Sequence, residues 1–189
     1  MVKKNTCIFI SGNGTNLNAL IKSSRSYNFP IKIKLIISNK HSAKGLLIAK
    51  KYSIPYIVRD MNNFINEIKI LRLIKNYNIS LICLAGYMKI LPNRFIKIFK
   101  NPIINIHPSL LPKFKGLNTF SKILKNNEKK TGCSVHFVNE KLDSGKIILK
   151  KFFWIEKKDT QESLKRKTQK LEYKAYSEAI IKISQRSIY

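Results

Sequence analysis

Residues 9–20 read FISGNGTNLNAL, a short apolar stretch followed by two glycines and then by residues with helical spacing. This order predicts a β-strand that turns tightly at Gly12 and Gly14 and continues directly into an α-helix. Backbone N–H groups and the positive end of the helix dipole meet at such a turn, so an anion, most simply a phosphate, is expected there. Thr15 offers a hydroxyl and Asn16 an amide to the same ligand. A strand-to-helix turn without a ligand is the alternative.

The glycine pattern distinguishes this stretch from two familiar nucleotide-binding motifs. The dinucleotide fingerprint needs a third glycine and an acidic residue about 20 positions further on, and both are missing. No Gly-Lys-Ser/Thr follows, so the stretch is not a P-loop. These differences disfavour a dinucleotide-dependent oxidoreductase.

Outward from this stretch, isoleucine-rich apolar runs alternate with segments of helical spacing. Strands are predicted in residues 6–11, 31–38, 54–58, 81–86 and 103–107, and helices in 16–24, 43–53 and 64–78. Several of the strands are apolar on both faces, which is typical of a parallel sheet covered by helices on both sides. One face of the third helix is expected to carry Phe64, Ile68, Leu71 and either Ile74 or Lys75.

The pattern changes after residue 112. Residues 131–139 and 146–155 read as two antiparallel strands joined by a polar turn, and a long helix is predicted to begin near Asp159 and Thr160. No linker or repeat divides the chain, so we predict one domain over residues 1–189. The fold class is a three-layer, doubly wound α/β fold, with a mostly parallel sheet, an antiparallel carboxyl-terminal portion and helices on both faces.

Composition places the chain among cytoplasmic globular proteins. Hydrophobic residues make up 44% of its 189 residues, and no apolar run approaches the length of a membrane span. The amino terminus lacks the cleavage site of a signal peptide. Three cysteines lie in apolar stretches at no metal-ligand spacing, which predicts buried free thiols: Cys7, Cys83 and Cys133.

The net charge is high, because 37 lysines and arginines face 10 acidic residues, a balance of +27. Such a charge attracts nucleic acid. The lysines, however, are scattered in pairs along the chain, and the abundance of lysine, isoleucine and asparagine is typical of A- and T-rich coding. We therefore favour compositional drift, and expect neither a specific nucleic-acid partner nor a membrane partner.

The stretch NIHPSLLP, residues 105–112, places Asn105 and His107 at the end of an apolar strand. Side chains two residues apart leave the same face of a strand, about 6–7 Å from each other. Pro108 ends the strand, and ligands of open α/β sheets bind at such carboxyl ends. Asn105 could donate to a developing oxyanion, and His107 could donate a hydrogen bond or move a proton. Alternatively, both side chains only satisfy nearby backbone groups.

Asp143 and His136 give weaker signals. An aspartate before Ser-Gly is ordinarily a turn former. His136 alternates with Cys133 and Val135 and so lies on the opposite face, which by spacing alone favours a structural histidine. With three histidines and no Cys/His cluster, no metal site is predicted.

Five segments, taken in order, resemble the folate-dependent formyltransferase family. They are SGNGTNL (11–17), LAGYMKIL (84–91), NIHPSLLPKFKG (105–116), TGCSVHFVNEKLDSG (131–145) and QKLE (169–172). The resemblance runs from residue 6 to 180, nearly the whole chain. Within the family, SGNGTNL is most similar to the members that act on glycinamide ribonucleotide.

The resemblance implies transfer of a formyl group from 10-formyltetrahydrofolate to the amine of glycinamide ribonucleotide, in de novo purine synthesis and without a metal. It implies catalytic roles for Asn105 and His107 at the oxyanion and for Asp143 in proton transfer, supported by His136 and Pro108. Substrate contacts are implied at Gly14, Thr15, Asn16, Gly86, Gln169 and Glu172. Folate contacts are implied at Met88, Lys89, Ile90 and Leu91 on one side, and at Val138, Asn139 and Glu140 on the other.

Some positions depart from the family pattern. Lys115 stands where proline is common, and Asn118 replaces a frequent histidine. Ser144 and Lys146 lie in LDSGK, where LDGGP or VDTGP is more usual. These departures predict a less rigid loop on the folate side.

Three other functions compete with this interpretation. Methionyl-tRNA formyltransferase carries an additional carboxyl-terminal domain, and formyltetrahydrofolate hydrolase an additional amino-terminal one, and we expect neither here. A nucleic-acid-binding module that had lost catalysis would have no use for Asn105, His107 and Asp143 together. The sequence leaves the oligomeric state open between monomer and homodimer.

Overall fold

The computed structural model describes residues 2–185, so Met1 and residues 186–189, at the ends of the predicted 1–189 domain, lie outside the described residues. Strands and helices alternate along the chain. In order they are β1 (Lys4–Ile10), α1 (Thr15–Ser24), β2 (Ile31–Ser38), α2 (Gly45–Lys51), β3 (Tyr56–Val58), α3 (Phe64–Asn76), β4 (Leu81–Leu84), α4 (Asn93–Ile98), β5 (Ile103–His107), α5 (Thr119–Lys125), β6 (Lys130–Phe137), β7 (Ile147–Trp154) and α6 (Gln161–Gln185).

The strands form one sheet in the order β3-β2-β1-β4-β5-β6-β7. β1 pairs in parallel with β2 and with β4, β2 pairs in parallel with β3, and β6 pairs antiparallel with β7. The chain proceeds outward from β1 to β3 and then returns to β4, so right-handed crossovers place the connecting helices on both faces. The predicted doubly wound, mostly parallel sheet with an antiparallel end is confirmed.

Contacts within the chain divide it into two units, residues 1–104 and residues 105–189. The assignment to a single domain therefore stays a prediction. In the first unit β1 and β4 are buried on both faces, as expected for central strands of a parallel sheet. α1 contacts α2 and contributes its apolar face to this core, through Leu17, Leu20 and Ile21.

In the second unit the long helix α6 packs on β6, β7 and α5. Its amino terminus is capped reciprocally, because Ser163 N donates to Thr160 Oγ1 at 3.2 Å and Thr160 N donates to Ser163 Oγ at 2.9 Å. The predicted helix start near Asp159 and Thr160 is confirmed. The buried face of α6 consists of Leu164, Thr168, Ala175, Tyr176, Ala179, Ile180 and Ile183. No helix among the described residues is long and apolar enough to cross a membrane.

The predicted buried face of α3 is wrong in part. Glu67 is buried with Ile70 and Ile74, whereas Phe64 is 54% exposed. Arg94 donates from Nε and Nη2 to the two carboxylate oxygens of Glu67, at 3.1 and 3.2 Å, and its guanidinium lies 3.9 Å from the Phe64 ring centroid. A bidentate arginine thus allows a carboxylate to replace an apolar residue on the inner face.

Candidate active site

The glycine turn at residues 11–14 forms as predicted, between β1 and α1. Gly14 has φ 71°, and a Cβ there would lie 2.6 Å from the Cα of Gly45, at the start of α2. Gly45 N also donates to Gly12 O at 3.0 Å, which fixes the turn against α2. A Cβ on Gly12, in contrast, would meet nothing within 4 Å. The turn is therefore closed on one side by α2 and borders open space at Gly12.

Ser11 connects this turn to the segment after β4. Its backbone N–H donates to Gly86 O at 3.1 Å, and its hydroxyl accepts from Met88 N at 2.8 Å and donates to Asn39 Oδ1 at 2.6 Å. Gly86 has φ 75°, and a Cβ there would also meet nothing within 4 Å. The structure thus brings Gly86 beside the predicted anion-binding turn. Sequence reasoning missed Ser11, and its place between the strand and the first glycine was the only signal.

The predicted folate-side segment after Gly86 alternates in exposure. Met88 and Ile90 are exposed, whereas Leu91 is buried. Lys89 Nζ forms an ion pair with Asp60 Oδ2 at 3.5 Å, and both side chains are partly exposed. Met88 and Ile90 are therefore the members of this segment whose apolar side chains are accessible.

Asn105 and His107 occupy the end of β5, which closes at His107 before Pro108, as predicted. Asn105 is partly buried and His107 is buried, and residues 103 and 104 before them belong to the core. Asn105 Nδ2 lies 3.3 Å from His136 Nε2 on β6. His136 Nδ1 donates to the carbonyl of Phe137 at 2.8 Å, which fixes the ring with its other nitrogen, Nε2, facing the Asn105 amide.

Both ring nitrogens of His107 face protein oxygens. Nε2 donates to the carbonyl of Phe114 at 2.8 Å, and Nδ1 lies 3.3 Å from Asp143 Oδ2. The same carboxylate oxygen accepts from Gly116 N at 2.9 Å, and the other oxygen lies 3.6 Å from His136 Nε2. Asp143 itself has φ 45°, a backbone conformation that a turn supplies. The weak sequence signal at Asp143 thus belongs to a residue in direct contact with His107.

Burial and charge move the pKa values of this pair. Burial lowers the pKa of His107, and the carbonyl of Phe114 and the charge of Asp143 offset part of that effect. Burial raises the pKa of Asp143, but its interactions with His136, Gly116 N–H and His107 outweigh burial and lower that pKa to about 2. At neutral pH Asp143 is therefore a carboxylate, and it faces a largely uncharged His107.

Two loops surround Asp143. Backbone φ is positive at Phe114, Gly116 and Asn118, with values of 57°, 73° and 58°. A Cβ on Gly145 would lie 1.8 Å from the carbonyl oxygen of Phe137, so the glycine after Ser144 is required for the close approach. The apolar side chains of Leu117 and Leu142, in these loops, are exposed.

Of the predicted folate-side residues in this loop, Val138 is partly buried, and Asn139 and Glu140 are exposed. Asn139 Oδ1 accepts from Lys141 N at 3.1 Å and from Ser144 Oγ at 3.0 Å, and Ser144 Oγ also lies 2.8 Å from Lys141 O. Ser144, a departure from the family pattern, is thus tied into its own loop.

The other departures have simple local settings. Asn118 precedes α5 in the left-handed conformation, which asparagine adopts more readily than most residues. The carbonyl of Lys115 accepts from Lys122 Nζ at 3.5 Å, and the carbonyl of Lys146 accepts from Phe137 N at 2.9 Å. The reduced rigidity of this loop stays a prediction.

Gln169 and Glu172 lie partly buried on α6. Burial, with the charge of Glu172 second, raises the pKa of Cys133 on β6 to about 12. Cys133 and His136 point to opposite faces of β6. Because Glu172 acts on Cys133, it lies on the face of the sheet that α6 covers and not on the face of His136. All three cysteines are buried free thiols, as predicted. Within residues 2–185 no group of three or more His, Cys, Asp or Glu side chains is arranged to hold a metal ion.

Comparison with known proteins identifies the class. A family model described as formyl transferase matches residues 4–180, and the chain belongs to this family of formyl-transferring enzymes. It is 42% identical over 177 residues to the phosphoribosylglycinamide formyltransferase of Haemophilus influenzae, which covers 92% of this chain and 84% of that protein.

Two further relatives agree with this assignment. The chain is 38% identical over 182 residues to the trifunctional purine biosynthetic protein adenosine-3 of Gallus gallus, a match that covers 94% of this chain and 18% of that protein. The crystal structure of phosphoribosylglycinamide formyltransferase from Brucella melitensis matches with a TM-score of 0.91 at 36% identity, over 99% of this chain and 98% of that one.

Proposed function

We propose that this chain transfers the formyl group of 10-formyltetrahydrofolate to the primary amine of glycinamide ribonucleotide, in purine biosynthesis. The observation that carries the proposal is the cluster of Asn105, His107 and Asp143 at the end of β5, in a chain of the formyl transferase family. The names of its relatives supply the acceptor, and the resemblance of its motifs supplies the folate donor.

In the proposed reaction the amine nitrogen attacks the formyl carbon, and the carbonyl oxygen becomes an oxyanion. The bond from that carbon to folate nitrogen then breaks, and the proton lost by the amine ends on the folate nitrogen. Asn105 donates the amide hydrogen that does not face His136 to the oxyanion. His107 Nε2–H is shared between the Phe114 carbonyl and the oxyanion, as a three-centre hydrogen bond.

Asp143 assists the proton transfer. Its carboxylate lies 3.3 Å from Nδ1 of the uncharged His107. Because both pKa values are lowered, both groups are unprotonated at neutral pH, and a proton can be taken up between them. A water held by Asp143 carries the amine proton to the folate nitrogen. Pro108 fixes the end of β5, and His136 orients the Asn105 amide.

The remaining predicted residues bind the substrates in this proposal. Gly14, Thr15 and Asn16 bind the ribonucleotide phosphate at the positive end of α1, and Gly86 leaves space for the glycinamide arm. Gln169 and Glu172 contact the ribose. Met88, Lys89, Ile90 and Leu91, with Val138, Asn139 and Glu140, contact the folate, Leu91 through its backbone because its side chain is buried.

The test is to incubate the purified chain with 10-formyltetrahydrofolate, with and without glycinamide ribonucleotide, and to follow the deformylated folate. We expect release that requires the ribonucleotide and saturates with it. His107→Ala should abolish most of this release, whereas His41→Ala, which changes an exposed histidine, should not. Release without the ribonucleotide would indicate a hydrolase, and no release in either case would contradict the proposal.

A further inference from the structure

The antiparallel pair β6–β7 carries two exposed aromatic rings side by side. Phe152 is 56% and Trp154 is 64% exposed, and their ring centroids lie 6.2 Å apart with the ring planes at 89°. The ammonium group of Lys130 lies 5.3 Å from the Phe152 centroid and 5.9 Å from the Trp154 centroid. These three residues and the exposed Lys150 are called the aromatic platform below.

Strand register places the whole platform on one face of the sheet. Side chains of directly opposed residues share a face, and the opposed pairs here are Lys130 with Trp154, Gly132 with Phe152 and Ser134 with Lys150. Helix α6 packs against the other face, where Lys167 lies 5.9 Å from the Phe153 ring centroid and Glu178 pairs with Lys151 at 2.8 Å. The platform therefore faces away from α6, on the last strand of the sheet order.

Exposure of adjacent aromatic rings to water is unfavourable, and exposed apolar patches are characteristic of binding surfaces. Here they stand among lysines in a chain of net charge +27, which favours a polyanion as the partner and opposes contact with a second copy of the same chain. Proteins that bind single-stranded nucleic acid combine these two features, since the rings stack on bases and the cations follow the phosphates.

We propose that the aromatic platform binds single-stranded nucleic acid without sequence specificity. Bases stack on Phe152 and Trp154, and the phosphates lie near Lys130 and Lys150. The scattered lysine pairs of the sequence favour drift as the origin of the charge and predict no specific nucleic-acid partner. Pairing of β6 with β7, however, groups lysines around two adjacent rings. This grouping is the reason to propose a nucleic-acid partner that is bound independently of its sequence.

Trp154 makes the proposal directly measurable, because it is the only tryptophan in the sequence. Its fluorescence is followed while a short oligothymidylate is added to the full chain at low salt. We expect saturable quenching and an affinity that falls steeply as salt is added. Inorganic polyphosphate, which has charge without bases, should bind without comparable quenching.

Two substitutions and one control separate stacking from general charge attraction. Phe152→Ala should weaken oligothymidylate binding about tenfold. Lys130→Gln should reduce the slope of log affinity against log salt by about 0.7, the share of one phosphate on a single strand. Tyr27→Ala removes an aromatic ring that is 92% exposed elsewhere, and it should leave the affinity unchanged.

Three results would overturn the proposal. The first is an affinity for oligothymidylate that Phe152→Ala leaves unchanged, and the second is quenching by polyphosphate equal to that by oligothymidylate. The third is a dimer in analytical ultracentrifugation that Phe152→Ala dissociates, which would assign the platform to a second copy of the chain. Formyl transfer should be normal in Phe152→Ala and Lys130→Gln, because neither residue belongs to the proposed active site. The platform and the proposed enzymatic function can thus fail independently.

Discussion

Asn105 is the residue on which the proposed oxyanion site most directly depends, because its uncharged amide can donate without first losing or gaining a proton. Asn105→Ala removes this donor and should lower kcat by about 10²–10³-fold, with little change in KM, since the interaction strengthens only as the oxyanion forms. Steady-state kinetics measure both constants. Asn101→Ala, at an exposed amide just before β5, is the matched control and should leave kcat unchanged. A normal kcat in Asn105→Ala would remove Asn105 from the mechanism.

His107 and Asp143 determine the expected pH dependence. Burial lowers the pKa of His107 below its usual 6.5, so kcat/KM should fall on the acid side only below pH 6.5, where the proton-accepting pair becomes protonated. The charge of Asp143 raises the pKa of His107, and its removal in Asp143→Asn should shift this acid limb to lower pH, with a reduced plateau. The pH profile of kcat/KM measures the shift. An acid limb that stays in place, or moves to higher pH, would contradict the coupling.

At the scale of single residues, period-two alternation was enough to place Asn105 and His107 together at the end of β5. The Phe114 carbonyl beside His107 was not predictable, because it depends on a positive φ at Phe114, which an aromatic residue rarely adopts. Asp143 was predictable only in part. Its spacing indicated only a turn, and the resemblance to a family was needed to give it a role.

Among the elements, the turn between β1 and α1 offers a comparison of two glycines. Gly14→Ala should destabilise the fold by at least about 1 kcal/mol, because Gly14 has φ 71° and a Cβ would strike Gly45. Gly12→Ala should leave stability nearly unchanged, because its Cβ would enter open space, yet it should weaken binding of glycinamide ribonucleotide in that space. Urea denaturation and titration calorimetry measure the two effects. Unchanged affinity in Gly12→Ala would place the phosphate elsewhere.

The amino terminus of α6 has its own pH dependence. Burial raises the pKa of Asp159, but Ser163 Oγ, Glu156 N and Lys167 donate to its carboxylate and lower that pKa to about 2. A lowered folded-state pKa gives stability that is present above about pH 4 and is lost as pH falls toward 2. Asp159→Asn should therefore cost about 1 kcal/mol of unfolding free energy near neutral pH and progressively less below pH 4.

Chemical denaturation at a series of pH values measures this difference between the two proteins. Glu162→Gln, a change of charge in the first turn of the same helix, is the control and should alter stability only slightly. A cost in Asp159→Asn that stayed constant between pH 5 and pH 2.5 would show that the carboxylate charge is not what stabilises the helix terminus.

Strands and helices were predictable where the length of an apolar run and the period of its apolar residues indicated the same kind of element. The bounds of β2 and β5 coincide with the apolar runs, and α6 begins beside its capping residues. Helices α4 and α5 were not predicted, because six and seven residues are too few to establish a helical period. The face of α3 was misassigned because a buried glutamate depends on Arg94, a partner that sequence spacing does not reveal.

For the whole molecule, alternation of strands and helices was sufficient to predict the class of fold, whereas net charge alone did not indicate a partner. Ion pairs use lysine or arginine to neutralise Asp60, Glu67, Glu128, Glu156, Asp159 and Glu178. With 37 basic and 10 acidic residues, cations remain in large excess after this pairing. The folded state therefore concentrates like charges that the unfolded chain keeps further apart.

This repulsion predicts that salt stabilises the protein. Raising sodium chloride from about 20 mM to about 300 mM shortens the screening length from roughly 20 Å to below 10 Å, so the Tm should rise by several degrees. Replacing the exposed Lys40, Lys100 and Lys170 together by glutamine should raise the Tm at low salt and reduce its dependence on salt. Thermal unfolding followed by circular dichroism measures both. A Tm that fell with added salt would mean that the attractive ion pairs outweigh the repulsion among the unpaired cations.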